Sequence, residues 1–186
     1  MEASNAPQPA HNTAHRPESV TPPRTVSAAF MLSHPAHVLA LGFGSGLSRK
    51  APGTVGSLWA WLSWLAIQSY LSPLAQGCLI ALSIPVGWWA CTLTARHMGV
   101  ADPGAIVWDE VIAMWLVLWL VMPTGWEGQL WAFALFRFFD AVKPGPVGWA
   151  DGLFKGLGWR GGWGIIFDDL VAAFCTLLVM ALWHRI

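Results

Sequence analysis

The sequence contains few charged residues. Asp, Glu, Lys and Arg make up 11% of its 186 residues, whereas soluble domains average about 25%. Hydrophobic residues make up 55% of the chain. This balance argues against an ordinary soluble domain and is typical of a protein that enters a membrane. The fourteen Trp residues support the same interpretation, because Trp favours the membrane–water interface.

The net charge and the cysteine content exclude two other classes of protein. The formal net charge is zero, so the sequence predicts no basic surface for nucleic acid. Cysteine is scarce and its number is odd, and Cys78, Cys91 and Cys175 all lie in apolar runs. These cysteines are typical of small buried hydrophobes and indicate no disulfide framework.

Several catalytic motifs are also missing. No Gly-Lys-Ser/Thr occurs to form a phosphate-binding P-loop, and no Asp-x-Asp occurs to form an aspartyl-phosphate. The spacing from Cys91 to Arg96 is one residue short of the cysteine phosphatase loop. A covalent intermediate is therefore unsupported, and metal-assisted attack by water is the simpler chemistry.

What the sequence does contain is a series of apolar runs. They cover residues 57–75, 77–95, 111–126, 128–136 and 165–184. Neither strand alternation nor an internal repeat is present, so we predict an all-α fold. The first, second and fifth runs approach the ~20 residues that cross a bilayer, whereas the other two could be tilted spans, re-entrant segments or buried helices. We therefore predict a multihelical, membrane-embedded bundle with about five apolar helices.

The basic residues favour one orientation of this bundle. If all five runs cross the membrane, one side carries Arg49, Lys50, Arg96, Arg137, Lys143, Lys155 and Arg160. The positive-inside rule makes that side cytoplasmic. The same side collects the acidic residues of 102–110 and 137–169, whereas Glu127 falls on the far side. We therefore expect a polar site that faces the cytoplasm.

The chain divides into a tail and one domain. Residues 1–35 are rich in Pro, Ala, His and Ser and lack helical periodicity, which predicts a disordered N-terminal tail. Residues 36–186 hold all the apolar runs and form the predicted helical domain.

Two acidic pairs, Asp109-Glu110 and Asp168-Asp169, stand at the start of apolar runs. The second pair follows a glycine-rich segment, residues 161–164, which we interpret as a turn. Acids are favoured at helix N-termini by the macrodipole, so ordinary helix-start acids are one interpretation. Together with Asp140 on the same predicted side, the pairs favour a metal site. Oxygen ligands without His or Cys suit Mg²⁺.

The segment 136–144 supplies candidate phosphate ligands. Arg137 could bind phosphate as a bidentate fork and Lys143 as a point charge. Arg137 and Asp140 are spaced i,i+3 and could instead simply pair on one helix face. Lys143 could equally extend to lipid head groups.

The loop over residues 42–57 is a second candidate for anion binding. It offers glycine backbone together with Ser45, Gly53, Thr54 and Ser57, and backbone N–H groups at such turns can hold an anion. The alternative is that its glycines only allow helices to pack closely.

Four motifs in order resemble the phosphatidylglycerophosphatase A family. They are residues 42–57, residues 106–110, residues 136–144 and residues 161–169, within a similarity that covers about residues 36–182. The resemblance implies a Mg²⁺-dependent, multi-pass enzyme of the bacterial inner membrane. It would remove the terminal phosphate of phosphatidylglycerophosphate to give phosphatidylglycerol.

The resemblance also implies which residues carry the activity. The expected catalytic residues are Asp109, Glu110, Arg137, Asp140, Lys143, Asp168 and Asp169, of which Asp109, Glu110, Asp168 and Asp169 would hold the metal. The expected substrate-binding residues are Ser45, Gly53, Thr54, Ser57, Arg137 and Lys143. The alternative from a different class is a non-enzymatic membrane carrier or scaffold, because ionisable residues within membrane helices are typical of transport proteins too.

Overall fold

The computed structural model describes residues 26–183, and this part of the chain is helical without any strand. The α-helices are α1 (Ala28–Leu32), α2 (Pro35–Ala40), α3 (Pro52–Tyr70), α4 (Pro73–Met98), α5 (Trp108–Val121), α6 (Trp126–Val142), α7 (Pro146–Leu153) and α8 (Trp159–Trp183). Short 3-10 turns cover Gly42–Leu47 between α2 and α3. The predicted all-α fold is confirmed for these residues.

Proline and glycine set most of the helix boundaries. Proline occupies the first helical position of α3, α4 and α7, where its missing N–H costs no hydrogen bond. Gly99 ends α4 in the left-handed conformation, and its N–H bonds the carbonyls of the last turn. The helix α5 ends just before Met122 and Pro123, as the restriction on residues before proline requires.

Helix α6 continues beyond the predicted end of the fourth run. The apolar run ends near residue 136, before the charge of Arg137, whereas the helix extends to Val142. Arg137 is accommodated because its guanidinium pairs with Asp140 on the same face and bonds Ser57 of α3. The pairing expected from the i,i+3 spacing is therefore present.

The glycine-rich turn predicted over residues 161–164 is wrong, because this segment lies inside α8. Its glycines provide close packing. A Cβ on Gly162 would lie 1.9 Å from Thr92 Oγ1, and one on Gly164 would lie 2.1 Å from the carbonyl oxygen of Phe154. Helix α8 therefore begins two turns earlier than the apolar run, and Asp168 and Asp169 lie in about its third turn.

The predicted disorder of residues 1–35 does not hold at its C-terminal end. Helix α1 is capped by Ser27, whose Oγ accepts a hydrogen bond from the Phe30 N–H, and α2 begins at Pro35. Phe30 is buried against Leu41 and Met98, which provides the apolar contact that the composition did not reveal. Residues 1–25 of the predicted tail lie outside the described residues.

Helix α5 forms the centre of the bundle. It packs against α3, α4, α6 and α8, and its residues from Trp108 to Trp115 are all buried. A helix that is apolar on every face is stable only when neighbours surround it. The acids at its start are therefore carried into the interior.

Two of the described helices, α4 and α8, are long and apolar enough to cross a membrane. The prediction of about five apolar membrane helices is not confirmed. With 14 residues, α5 would rise only ~21 Å at 1.5 Å per residue, against a hydrocarbon core of about 30 Å. Helix α6 has 17 residues, and α3 includes several Gly, Ser and Thr that lower its hydropathy.

The close contact of α8 with α4 gives a test of this packing. Gly162→Ala places a methyl group 2.9 Å from the backbone Cα of Thr92, so one helix must shift. We expect a loss of about 1–3 kcal/mol in unfolding free energy, as overpacking typically costs. The measurement is thermal unfolding of the purified protein.

Gly152→Ala on α7 is the matched control. No atom lies within 4 Å of the added methyl group, and alanine in a helix is more stable than glycine by about 0.5–1 kcal/mol. Equal melting temperatures for the two variants would contradict the proposed contact.

Candidate active site

Three buried acids meet between α5 and α8. Asp109 and Glu110 lie in the first turn of α5, and Asp169 lies on α8. One carboxylate oxygen from each of the three residues lies within 4.8 Å of the others. The residues are only 8%, 9% and 3% exposed. We call these three residues the acidic trio.

The acidic trio fits a divalent cation. Asp109 Oδ1, Glu110 Oε2 and Asp169 Oδ2 are buried and have no hydrogen-bond partner in the described part of the chain. Buried carboxylates without partners are costly, and a cation among them would satisfy these oxygens. An all-oxygen set of carboxylates suits a hard ion such as Mg²⁺.

The burial and crowding of the trio raise the pKa values of its carboxyl groups on α5. Burial raises the pKa of Asp109 well above its usual range, and the charges of Glu110 and Asp169 raise it further. Burial also raises the pKa of Glu110, to about 7, although Asp109 and Arg137 oppose this increase. Protons and a cation therefore compete for these oxygens.

Asp168 does not join the trio, although we predicted it as a metal ligand. Its Oδ2 lies 2.5 Å from Lys143 Nζ, and this ammonium also bonds Asp151. The interpretation of Asp168 and Asp169 as helix-start acids does not hold, because α8 begins at Trp159. For Asp109 and Glu110, which do start a helix, the macrodipole remains a favourable contribution.

Arg137 lies at the edge of the trio. Its Nη1 is 3.9 Å from Glu110 Oε1, donates to Ser57 Oγ at 3.2 Å and pairs with Asp140. Its side chain is 17% exposed, so the guanidinium lies between the buried acids and the surface. Arg137 and Asp140 thus pair with each other and also border the site.

The loop of residues 42–57 contributes mainly by close packing. A Cβ on Gly53 would lie 2.3 Å from Glu110 Oε1 and 3.2 Å from the Arg137 guanidinium. Ser57 is buried beside the same arginine. Thr54 is exposed on α3, and Ser45 donates its hydroxyl hydrogen bond to the Gly42 carbonyl. Of the four predicted loop residues, Gly53 and Ser57 lie next to Arg137 in the structure.

Sequence reasoning missed Asp151 on α7. Its Oδ1 accepts a hydrogen bond from Lys143, and its Oδ2 accepts one from Lys155 at 2.7 Å. The only signal in the sequence was the i,i+4 spacing from Asp151 to Lys155. The contact with Lys143 depends on the turn between α6 and α7.

A helical protein with buried acids that fit a cation, next to an arginine and a lysine, has the groups that a metal-dependent phosphatase requires. The family model described as phosphatidylglycerophosphatase A matches residues 38–184. The chain belongs to the phosphatidylglycerophosphatase A family.

Individual relatives agree with this assignment. The chain is 42% identical over 141 residues to phosphatidylglycerophosphatase A of Escherichia coli, covering 76% of this chain and 78% of the relative. It is 40% identical over 149 residues to the protein of the same name from Haemophilus influenzae, covering 80% and 88%. A putative phosphatidylinositol-3-phosphatase of Bacteroides thetaiotaomicron is 35% identical over 153 residues, covering 77% and 90%. No solved structure matches the chain.

These relatives are named as phosphatases, and the alternative of a non-enzymatic carrier or scaffold has no comparable support. The resemblance read from the four ordered motifs is confirmed.

Cation binding at the trio can be measured without any substrate. We expect Mg²⁺ to raise the melting temperature of the protein, since a ligand at 100 times its Kd adds about 2.7 kcal/mol. Asp169→Asn and Asp109→Asn should lose this increase. They should not destabilise the metal-free protein, because each replaces a crowded carboxyl group that lacks a partner with a neutral amide of similar size.

The stabilisation by Mg²⁺ should also be larger at pH 8 than at pH 6. The pKa of Glu110 is raised from 4.5 to about 7, so protons compete with the cation below that value. For the metal-free protein the sign is opposite: a raised carboxyl pKa stabilises the fold at low pH, and this contribution is lost between pH 4.5 and about 7.

Glu127→Gln, which changes an exposed acid at the far end of α6, should behave like the wild type. A full Mg²⁺ response in Asp169→Asn would exclude the trio as the cation site.

Proposed function

We propose that the protein hydrolyses phosphatidylglycerophosphate to phosphatidylglycerol and phosphate in a Mg²⁺-dependent reaction of phospholipid biosynthesis. The observation that carries this proposal is the adjacency of two kinds of group. The acidic trio fits a cation, and Arg137, a ligand suited to phosphate, lies 3.9 Å from Glu110.

The names of the relatives support the choice of substrate. The two relatives with 42% and 40% identity are phosphatidylglycerophosphatases, whereas the phosphatidylinositol-3-phosphatase has 35% identity. A phosphate monoester on a lipid head group is common to all three names. The terminal phosphate of a phospholipid is therefore the group we expect at the site.

In the proposed reaction, Asp109, Glu110 and Asp169 hold Mg²⁺. An ion held by these three residues would supply Lewis-acid polarisation of the phosphate and would lower the pKa of a bound water. In the hydrolysis, a water oxygen bonds to phosphorus, the bond from phosphorus to the glycerol oxygen breaks, and the proton lost by the water balances the one gained by the glycerol oxygen.

Arg137 and Lys143 stabilise the charge on the phosphate oxygens. Arg137 is oriented in advance by Asp140 and by the Ser57 hydroxyl, and such fixed donors cost little reorganisation during the reaction. Lys143 pairs with Asp168. In this assignment Asp168 orients the lysine, and Asp140 orients the arginine.

We further propose that the protein lies in the bacterial inner membrane, with the site facing the cytoplasm. Large apolar side chains are exposed on the outside of the bundle, including Leu62 at 61%, Leu74 at 78% and Phe174 at 66%. Lipid acyl chains would cover this surface. The head group would then reach the acids at the end of the bundle where α5 begins.

Substitution of the acids tests the reaction. Asp109→Asn and Asp169→Asn keep the size of the side chain and remove one charge from the cation site. We expect phosphate release to fall by about 10²-fold or more, as losing one preorganised electrostatic group typically costs. The measurement is phosphate release from phosphatidylglycerophosphate in detergent micelles across a Mg²⁺ titration.

Glu127→Gln serves as the control and should retain full activity. Phosphatidylinositol 3-phosphate is assayed in parallel, and faster hydrolysis of that lipid would overturn the proposed substrate. Near-full activity of both Asn variants at low Mg²⁺ would overturn the proposed mechanism.

Cysteine labelling tests the orientation. Pro52 begins α3, and its neighbour Gly53 lies beside Glu110 at the start of α5. Gly125 follows the end of α5 and precedes α6. Pro52 and Gly125 therefore lie at opposite ends of the bundle. In a background without the three native cysteines, a membrane-impermeant maleimide should label Pro52→Cys from the cytoplasmic side and Gly125→Cys from the opposite side. Labelling of both positions from one side would contradict a bundle that crosses the membrane.

A further inference from the structure

Asp151 belongs to none of the four motifs, yet it connects three elements near the active site. It lies half-buried on α7 and accepts hydrogen bonds from both Lys143 and Lys155. Lys143, at the end of α6, also donates to Asp168 of α8. A single ammonium group therefore links Asp151 to Asp168, the neighbour of a trio residue.

Lys143 requires such a partner because little else fixes its ammonium group. Its backbone is left-handed, with φ of 49°, so the chain turns out of α6 at this residue. Its side chain is 32% exposed, and a lysine stem rotates freely about four bonds unless its end is held. The carboxylates of Asp151 and Asp168 approach Nζ from two different helices and restrict it to one region.

The carboxylate of Asp151 stays negatively charged at neutral pH, and nearby lysine ammonium groups balance its charge. Burial would raise the pKa of Asp151, but the hydrogen bonds from Lys143 and Lys155 outweigh this effect and lower the pKa to about 2. Asp151 and Asp168 carry two negative charges, and Lys143 and Lys155 carry two positive ones. The formal charges of these four groups sum to zero, so the two carboxylates are compensated by the two ammonium groups that they contact.

Helix α7 has packing contacts that do not involve Asp151. This helix packs against α8 and buries Val147 and Ala150. The polar contacts of Asp151 are made by its carboxylate alone. Loss of its charge should therefore affect Lys143 more than the stability of the bundle.

We propose that Asp151 is a positioning residue that holds the Lys143 ammonium beside Asp168 for contact with the phosphate of the lipid substrate. This inference rests on the proposed function, which assigns Lys143 to the phosphate. Asp151 touches neither the cation site nor the phosphate, and it acts through Lys143.

Kinetics of phosphate release from phosphatidylglycerophosphate test this role. Asp151→Asn should raise KM by about tenfold with a smaller change in kcat, the size expected for one lost hydrogen bond to a charged group. Lys143→Met should raise KM at least as much, and adding Asp151→Asn to it should cause no further loss. Asp151→Glu, which restores the carboxylate, should recover part of the affinity.

Asp102→Asn is the matched control for charge. Asp102 is exposed and makes no ion pair within the described residues, but its charge acts on Asp168 at a distance. This variant should change KM by less than about twofold, as expected for an exposed charge.

A second readout does not depend on activity. Acylation of lysines by an amine-reactive reagent, followed by peptide mass spectrometry, reports how firmly each ammonium is held. We expect Lys143 to react slowly in the wild type and several-fold faster in Asp151→Asn, with the exposed Lys50 unchanged as the reference.

The outcomes separate this inference from the proposed function. If the wild type releases no phosphate from this lipid, the proposed function fails, and the acylation rates still decide whether Asp151 holds Lys143. Unchanged KM and unchanged Lys143 reactivity in Asp151→Asn would overturn the inference. An additive loss in the Lys143→Met background would overturn it too, because Asp151 would then act by another route.

Discussion

The packing of three carboxylates into one buried site is the constraint on which the rest of the structure depends. Two like charges 4 Å apart repel by about 4 kcal/mol at an effective dielectric constant of 20. One oxygen from each of Asp109, Glu110 and Asp169 lies within 4.8 Å of the others, so the fold must provide compensation. Arg137 supplies one positive charge at the edge. A cation bound by the unpartnered oxygens would supply the rest.

The surrounding helices are shaped by this requirement. Helix α3 carries glycine at position 53, where any side chain would collide with Glu110 and Arg137. Helix α6 continues through Arg137 because that residue has partners on α3 and α5. The glycines of α8 allow this helix to pack closely against α4 and against the segment between α7 and α8. This packing places Asp169 opposite the start of α5. The site is thus built by four helices, with the acidic trio in the interior and Arg137 nearer the surface.

Much of the fold was predictable from local sequence, and the exceptions have specific physical causes. The apolar runs located five of the helices because a long run of apolar residues flanked by Pro or Gly has few other solutions. The start of α8 was misplaced because glycine usually marks a turn, whereas here neighbouring backbone occupies the space of the missing side chains. Helix α7 and helix α1 were missed because both are short and depend on burial of a few residues, such as Val147 and Phe30.

The sequence by itself determined the chemical character of the site: oxygen ligands without His or Cys, an arginine, a lysine, and the order of four motifs that identifies the family. Only the tertiary structure decided which of these groups meet. Asp168 and Asp169 are neighbours in sequence, but successive residues on a helix point about 100° apart. One of them faces α5 and completes the acidic trio, and the other faces Lys143 and, through it, Asp151. The packing of α8 against both partners assigns these two directions, and no local pattern in the sequence contains that information.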